Sequence, residues 1–273
     1  MTAQTQLSVR TPRWNYEKLE NRFWFRGNPH LSHLIHALSF LFPPGEETFV
    51  RSVQRFRGAI SEPCLSADID AFIAQESLHG AQHRRLNLWL SQRIPEAEQY
   101  CEAIAASIRA DFKRVDQRFP KLNLAITVAF EHMTAIAATA LLERPEIVDS
   151  IEEPLRSLLI WHAIEEIEHR SVAFDVYQTV SGSYPLRMLA MVFACIMLVS
   201  QTLRYQMKLL ARDGQLGNWR SLREALHLTC GPNGYFRALL KPFLSYGRAS
   251  FHPSQACQSV SIEAWQRRMQ ELD

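Results

Sequence analysis

The amino-acid sequence predicts an all-α protein, a four-helix bundle with extra N- and C-terminal helices. Stretches of helix length, most of them bounded by proline, follow one another along the 273 residues, and few stretches show the two-residue alternation of a β-strand. The stretch Leu122–Leu142 is apolar on almost every side, as expected for a helix buried on all faces. We therefore predict a single helical domain over residues 1–273, with the bundle in 31–182 and a helical extension in 183–273.

The proline positions divide the bundle into separate predicted helices. Residues 1–30 carry aromatic and charged side chains without periodicity and are expected to form an arm that packs on the body. Because proline lacks an amide hydrogen and disfavours a helical predecessor, Pro43 and Pro44 are expected to separate two helices. The expected helices are Leu31–Phe42, Glu46–Arg57, Ser66–Gln92, Glu96–Arg118, Leu122–Leu142 and Asp149–Ser181.

Composition excludes several classes of protein. The formal net charge is +2, without a run of lysine or arginine, so nucleic acid is not an expected partner. The five cysteines never form Cys-x-x-Cys, which argues against a disulfide framework and a cysteine zinc site. The first twenty residues lack the apolar segment of a secretory signal, so a cytoplasmic location is expected.

The last third of the chain is more apolar than the rest. Leu189–Val199 is a continuous apolar run, yet it is shorter than the roughly 20 residues that a membrane-spanning helix needs. We expect a buried or membrane-surface helix, so peripheral membrane association through residues 188–203 stays open, as does a homo-oligomer.

Two Glu-x-x-His pairs point to a metal site. Glu76 and His79 form one pair, and Glu166 and His169 form the other, on a different predicted helix. Side chains three residues apart leave the same face of a helix, so each pair is able to bind one ion. Glu131 lies in the middle of the apolar helix, where an unpaired carboxylate is costly.

A fourth helix adds Glu46 or Glu47. The resulting order, Glu, Glu-x-x-His, Glu, Glu-x-x-His, is the one that holds two metal ions in the centre of a four-helix bundle. His162 lies one turn before Glu166 and is preferred over His83 as a further ligand. The predicted metal ligands are Glu46, Glu76, His79, Glu131, His162, Glu166 and His169. Further candidates, as an extra ligand or as groups that orient the histidines, are His83, Glu47, Glu165 and Gln75.

These motifs carry a resemblance to known families. The segments FPPGE (42–46), ESLHGAQH (76–83), FEHMTA (130–135), WHAIEEIEHRSVAFDVY (161–177) and FHP (251–253) resemble the bacterial proteins described as predicted metal-dependent hydrolases. The resemblance implies Glu46 rather than Glu47 as the first ligand. The ligand pattern is also similar to that of p-aminobenzoate N-oxygenase and related di-iron enzymes, which implies a ferritin-like four-helix bundle.

Three functions are compatible with this set of residues. Carboxylate and imidazole ligands without thiolate suit iron, with manganese or zinc as alternatives. We expect first a di-iron oxygenase or oxidase that uses O₂ and an electron donor on a small apolar or lipid-like substrate. The alternatives are a metal-dependent hydrolase that uses a metal-activated water, and a non-enzymatic metal-binding protein.

Overall fold

The computed structural model describes residues 7–255 and 260–272. Within these residues all regular secondary structure is helical, apart from an isolated bridge between Phe25 and Ile151, so the all-α prediction is confirmed. The helices are α1 (Pro29–Phe56), α2 (Pro63–Ser91), α3 (Glu96–Arg118), α4 (Pro120–Leu142), α5 (Pro145–Val148), α6 (Leu155–His169), α7 (Val172–Val180), α8 (Tyr184–Arg212), α9 (Trp219–Cys230), α10 (Tyr235–Ser245) and α11 (Ile262–Leu272).

Four helices surround the centre of the molecule. Helix α1 packs on α2, α4 packs on α6, and α1–α4 and α2–α6 contacts close the group, an arrangement consistent with the expected four-helix bundle. Helix α8 packs against α4 and α1 from outside. The N-terminal arm contributes Trp14, Leu19 and Trp24 to a hydrophobic core shared with α1, α2 and α6.

Helix α1 continues through Pro43 and Pro44, so the predicted break at this point is wrong. Proline at position 43 leaves the Ser39 carbonyl without its helical donor, which costs roughly 3 kcal/mol when nothing replaces it. Here the Asn87 side chain on α2 donates to that carbonyl at 2.8 Å, and its own oxygen accepts from the Ser39 hydroxyl at 2.7 Å. A contact between helices thus replaces the bond that the local sequence removes.

Helix boundaries elsewhere also depend on side-chain hydrogen bonds. Helix α2 begins at Pro63 rather than at Ser66, because the Glu62 carboxylate accepts from the first amides of the helix. The predicted helix 149–181 is divided after His169. The Ile167 carbonyl would accept the amide of residue 171 in a continuous helix, but it accepts the Arg170 guanidinium instead.

Candidate metal centre

The seven predicted ligands converge between α1, α2, α4 and α6. Helix α1 carries Glu46, α2 carries Glu76 and His79, α4 carries Glu131, and α6 carries His162, Glu166 and His169. All seven are at most 6% exposed. Donor atoms of Glu76, His79, Glu166 and His169 lie within 4.8 Å of one another, and those of Glu46, His83 and His162 form a second such group.

Helical spacing accounts for how each helix presents its residues. On α2, Glu76 Oε1 and His79 Nδ1 are 3.6 Å apart across one turn. On α6, His162 Nε2 and Glu166 Oε1 are 2.8 Å apart, and His169 follows one turn later on the same face. Each helix therefore brings a carboxylate oxygen and an imidazole nitrogen to one side.

A hydrogen bond to Glu165 determines which nitrogen of His79 is free. His79 Nε2 lies 3.0 Å from a carboxylate oxygen of Glu165, which only accepts, so Nε2 carries the hydrogen. The neutral ring then has its lone pair on Nδ1, which lies 3.6 Å from oxygens of both Glu76 and Glu166. A lone pair that faces two carboxylates needs a proton or a metal ion between them.

A chain of hydrogen bonds determines the tautomer of His162 in the same way. The Ser39 hydroxyl donates to Asn87, so it accepts from His83 Nδ1 at 3.0 Å, and the bare His83 Nε2 accepts from His162 Nδ1 at 2.9 Å. Burial lowers the pKa of both histidines, in agreement with neutral rings. His162 therefore directs the lone pair of Nε2 at Glu166 (2.8 Å) and at Glu46 (3.9 Å), while both nitrogens of His83 are occupied.

His169 lies between two further carboxylates. Its Nδ1 is 3.0 Å from Glu131 Oε2, and its Nε2 is 3.1 Å from Glu76 Oε1. Burial disfavours the charged imidazole, but Glu131, Glu166 and Glu76 together outweigh burial and raise the pKa of His169 well above its ordinary value. Burial raises the pKa of Glu131 to about 8. The buried carboxylates thus favour a positive charge at His169, whereas burial prevails at His162.

The buried polar atoms of the centre fit bound cations. Among the described residues, atoms without a hydrogen-bond partner include both carboxylate oxygens of Glu46 and of Glu76, one oxygen each of Glu131 and Glu166, His79 Nδ1 and His169 Nε2. Such atoms are rare in protein interiors because desolvation without a partner is costly. The four ligand carboxylates would carry four negative charges when ionised, and two divalent cations would supply four positive charges. The residues therefore fit the dimetal occupancy that the spacing predicts.

The other candidate residues lie around this cluster. The Glu47 side chain is 28% exposed and pairs with Arg51 and Arg109, outside the cluster. The Gln75 amide donates to the Ser8 carbonyl at 3.1 Å and to Glu168 at 3.3 Å, rather than to a histidine ring. Glu165 contacts His79, as described above.

Sequence reasoning missed three residues that support the centre. Arg10, in the N-terminal arm, donates to Glu165 at 3.2 Å and to both oxygens of Glu168. Nothing in the local sequence distinguishes this arginine from an exposed one. Ser39 and Asn87 carry the hydrogen-bond chain to His162. Asn87 lies one helical turn after His83, so the polar i, i+4 spacing is a signal that the sequence did contain.

Gly80 lets the first two helices approach each other at the centre. A Cβ at this position would lie 3.0 Å from Glu46 Oε2, 3.3 Å from the Arg84 guanidinium and 3.7 Å from the Pro43 backbone. A cavity of about 390 Å³ opens beside it, and its lining includes Glu46, Glu76, Gly80 and Arg84. Two residues of the centre, both buried, therefore line a cavity between α1 and α2.

Comparisons with known proteins identify a family and correct the functional expectation. A family model described as "Predicted metal-dependent hydrolase" matches residues 8–256, whereas searches of curated proteins and of solved structures found no match. The expectation of a di-iron oxygenase or oxidase is therefore wrong, and the hydrolase alternative is supported. Carboxylates and imidazoles bind metals in both classes of enzyme, so the donor set did not distinguish them. Since the match covers most of its length, the chain belongs to the family of predicted metal-dependent hydrolases.

Proposed function

We propose that the protein is a hydrolase whose reaction takes place at two metal ions held between α1, α2, α4 and α6. The observation that carries the proposal is the pair of imidazole nitrogens, His79 Nδ1 and His162 Nε2, that face buried carboxylates. The family assignment independently supports a metal-dependent hydrolytic reaction.

The proposed ligands are those of the sequence-based prediction. Glu76, His79, Glu166 and His169 would hold one ion, with Glu131 beside His169, and Glu46 and His162 would hold the other. Iron, manganese and zinc all suit these donors. Bound divalent cations supply an acidified water and polarise the carbonyl or phosphoryl oxygen of the substrate.

The surrounding residues hold the imidazoles in the tautomers that bind a cation. Glu165 keeps the hydrogen of His79 on Nε2, and Glu165 is itself held by Trp161 Nε1 at 3.0 Å and by Arg10. Ser39 and His83 keep the hydrogen of His162 on Nδ1. Partners of this kind typically change metal affinity or activity by about 10- to 100-fold when they are removed.

Arg84 supplies a positive charge at the mouth of the cavity. Its guanidinium lies beside Glu46, because atoms of both are within 3.3 Å of the position that a Cβ on Gly80 would occupy. A guanidinium binds carboxylate and phosphate oxygens in a fixed orientation. The proposed substrate is thus an ester, amide or phosphoester with an anionic group, which Arg84 orients toward the centre.

Elemental analysis combined with a hydrolysis assay tests this function. Purified protein should contain two metal ions per chain and should hydrolyse members of a panel of p-nitrophenyl carboxylic and phosphoric esters. A chelator should abolish the activity, added metal should restore it, and the rate under nitrogen should equal the rate in air. Metal-loaded protein that hydrolyses none of the panel would count against the proposal.

A matched pair of variants tests the site itself. Glu46→Gln should lose metal and activity, whereas Glu47→Gln, one residue along the chain and outside the cluster, should keep both. Arg84→Met should raise KM for anionic substrates more than for neutral ones, with exposed Arg118→Met as the control. Circular dichroism confirms that each variant is folded.

A further inference from the structure

Helix α8 has an apolar side that no other part of the described residues covers. Each of the large apolar side chains on this side is between 51% and 64% exposed; they are Leu189, Val192, Phe193, Ile196, Val199, Leu203 and Met207. Their spacing follows one face of the helix over about 27 Å. Soluble proteins rarely expose apolar surface of this extent unless it contacts a partner or a membrane.

The opposite side of α8 is part of the protein core. Ala190, Met191 and Ala194 pack in the core that α4 and α7 share, and Tyr205 and Leu209 pack in the core of α1 and α2. By length and hydropathy α8 and α4 would each suffice to cross a membrane, but the most apolar windows of the two are 28% and 67% buried within the protein. With one side fixed to the helical body, α8 is suited to lie on a membrane surface rather than to span the bilayer.

Helix α10 carries a second exposed apolar stripe. Phe236, Leu240 and Leu244 recur every fourth residue and are 44%, 59% and 71% exposed. The start of α8 contacts the chain just after α10, because the Tyr184 hydroxyl donates to the Gly247 carbonyl at 2.7 Å. The two helices therefore meet where α8 begins and α10 ends, and both pack on α4.

The same part of the chain carries a strong positive charge. Residues 184–250 contain nine lysines and arginines and two acidic residues, a net charge of +7, whereas the whole chain has +2, so that the remainder carries −5. Arg204 on α8 and Arg237 and Lys241 on α10 are exposed among the apolar residues. A surface that is both apolar and basic matches an anionic bilayer, in which lysines and arginines meet lipid headgroups.

We propose that α8 and α10 dock the protein on the surface of an anionic lipid membrane. The charge favours lipid over a second copy of the chain, because two such surfaces would bring like charges together. The apolar side chains enter the boundary between headgroups and acyl chains, and the basic side chains bind the headgroups. This docking is independent of the chemistry at the metal centre.

Vesicle sedimentation of the full-length protein tests the proposal. The protein should bind vesicles of phosphatidylcholine mixed with phosphatidylglycerol, bind phosphatidylcholine alone much less, and dissociate as salt is raised. The double variant Ile196→Asp/Leu244→Asp should bind at least about tenfold more weakly, since it removes two exposed apolar side chains that would enter the membrane and adds negative charge. Arg237→Glu/Lys241→Glu should lose binding to a similar degree on anionic vesicles only.

A matched control separates docking from general surface effects. Leu88 and Phe119 are 59% and 62% exposed on other parts of the protein, and Leu88→Asp/Phe119→Asp should bind vesicles as the unchanged protein does. No binding to any vesicle, equal binding to both lipid compositions, or equal loss in this control would overturn the proposal. So would a dimer in sedimentation velocity that Ile196→Asp converts to monomer, because a second copy would then be the partner.

Discussion

Replacing Glu165 by glutamine should weaken metal binding at His79, although it removes none of the proposed metal ligands. Glu165 is fully buried and accepts hydrogen bonds from His79 Nε2, Trp161 Nε1 and the Arg10 main chain and side chain, at 3.0 to 3.3 Å. Glutamine has nearly the same shape, but it has only one accepting oxygen, and its amide nitrogen would face donors.

The size of the effect follows from the charge that is lost. A hydrogen bond to a charged group contributes about 1.5–3 kcal/mol, against about 0.5–1.5 kcal/mol for a neutral one. The difference for the bond to His79 is about 1–1.5 kcal/mol, which is about tenfold in the metal dissociation constant. Loss of the fixed tautomer adds to this, because a ring with its hydrogen on Nδ1 directs its lone pair away from Glu76 and Glu166.

Competition with a chromophoric chelator measures the dissociation constant directly. Glu168→Gln is the matched control, because Glu168 also pairs with Arg10 but makes no contact with a ligand histidine. We expect about a tenfold weaker affinity for Glu165→Gln and little change for Glu168→Gln. Unchanged affinity in the first variant, or an equal loss in both, would refute the assignment of Glu165 as the residue that orients His79.

Three further changes test other parts of the structure. Gly80→Ala should displace the Glu46 carboxylate and reduce metal content, whereas Gly58→Ala, which has no described atom within 4 Å of a new Cβ, should not; elemental analysis compares the two. Burial lowers the pKa of His132 to about 4 from its ordinary 6.5, so the unfolded chain takes up this proton first as the pH falls. The protein should lose up to about 3 kcal/mol between pH 6.5 and pH 4, and urea unfolding of His132→Phe should show a flatter profile. Asn87→Leu should lower the free energy of unfolding by about 1–3 kcal/mol in the same assay, because it leaves the Ser39 carbonyl in α1 without a donor. A loss below about 0.5 kcal/mol, the level of an ordinary surface substitution, would contradict this explanation of the uninterrupted helix.

Much of the cluster is a consequence of local geometry. Glu76 and His79, like Glu166 and His169, face the same side of a helix because of a three-residue spacing that is visible in the sequence. Glu131 is a buried carboxylate by virtue of the apolar residues around it. These carboxylates and imidazoles lie on the faces that the helices bury. Packing that buries those faces therefore brings the polar residues together, and the sequence alone predicts that they converge.

Other features depend on contacts between distant segments. Local rules predicted a helix end at Pro43, but α1 continues because Asn87, on another helix, supplies the missing donor. Arg10 supports the centre from 155 residues away in sequence, and no spacing reveals such a pairing. Glu46 lies in the cluster while Glu47 is paired with arginines at the surface, a distinction that depends on the rotation of α1 against α2.

The sequence by itself determined the all-helical class and the pairing of carboxylates with imidazoles on single helix faces, because both depend on residues a few positions apart. Only the tertiary structure decided which imidazole nitrogens face the carboxylates with a lone pair, because each tautomer is determined by a hydrogen bond that the ring donates to a residue on another helix. It also decided which apolar side of α8 stays uncovered, because burial depends on the neighbours that a helix acquires on folding.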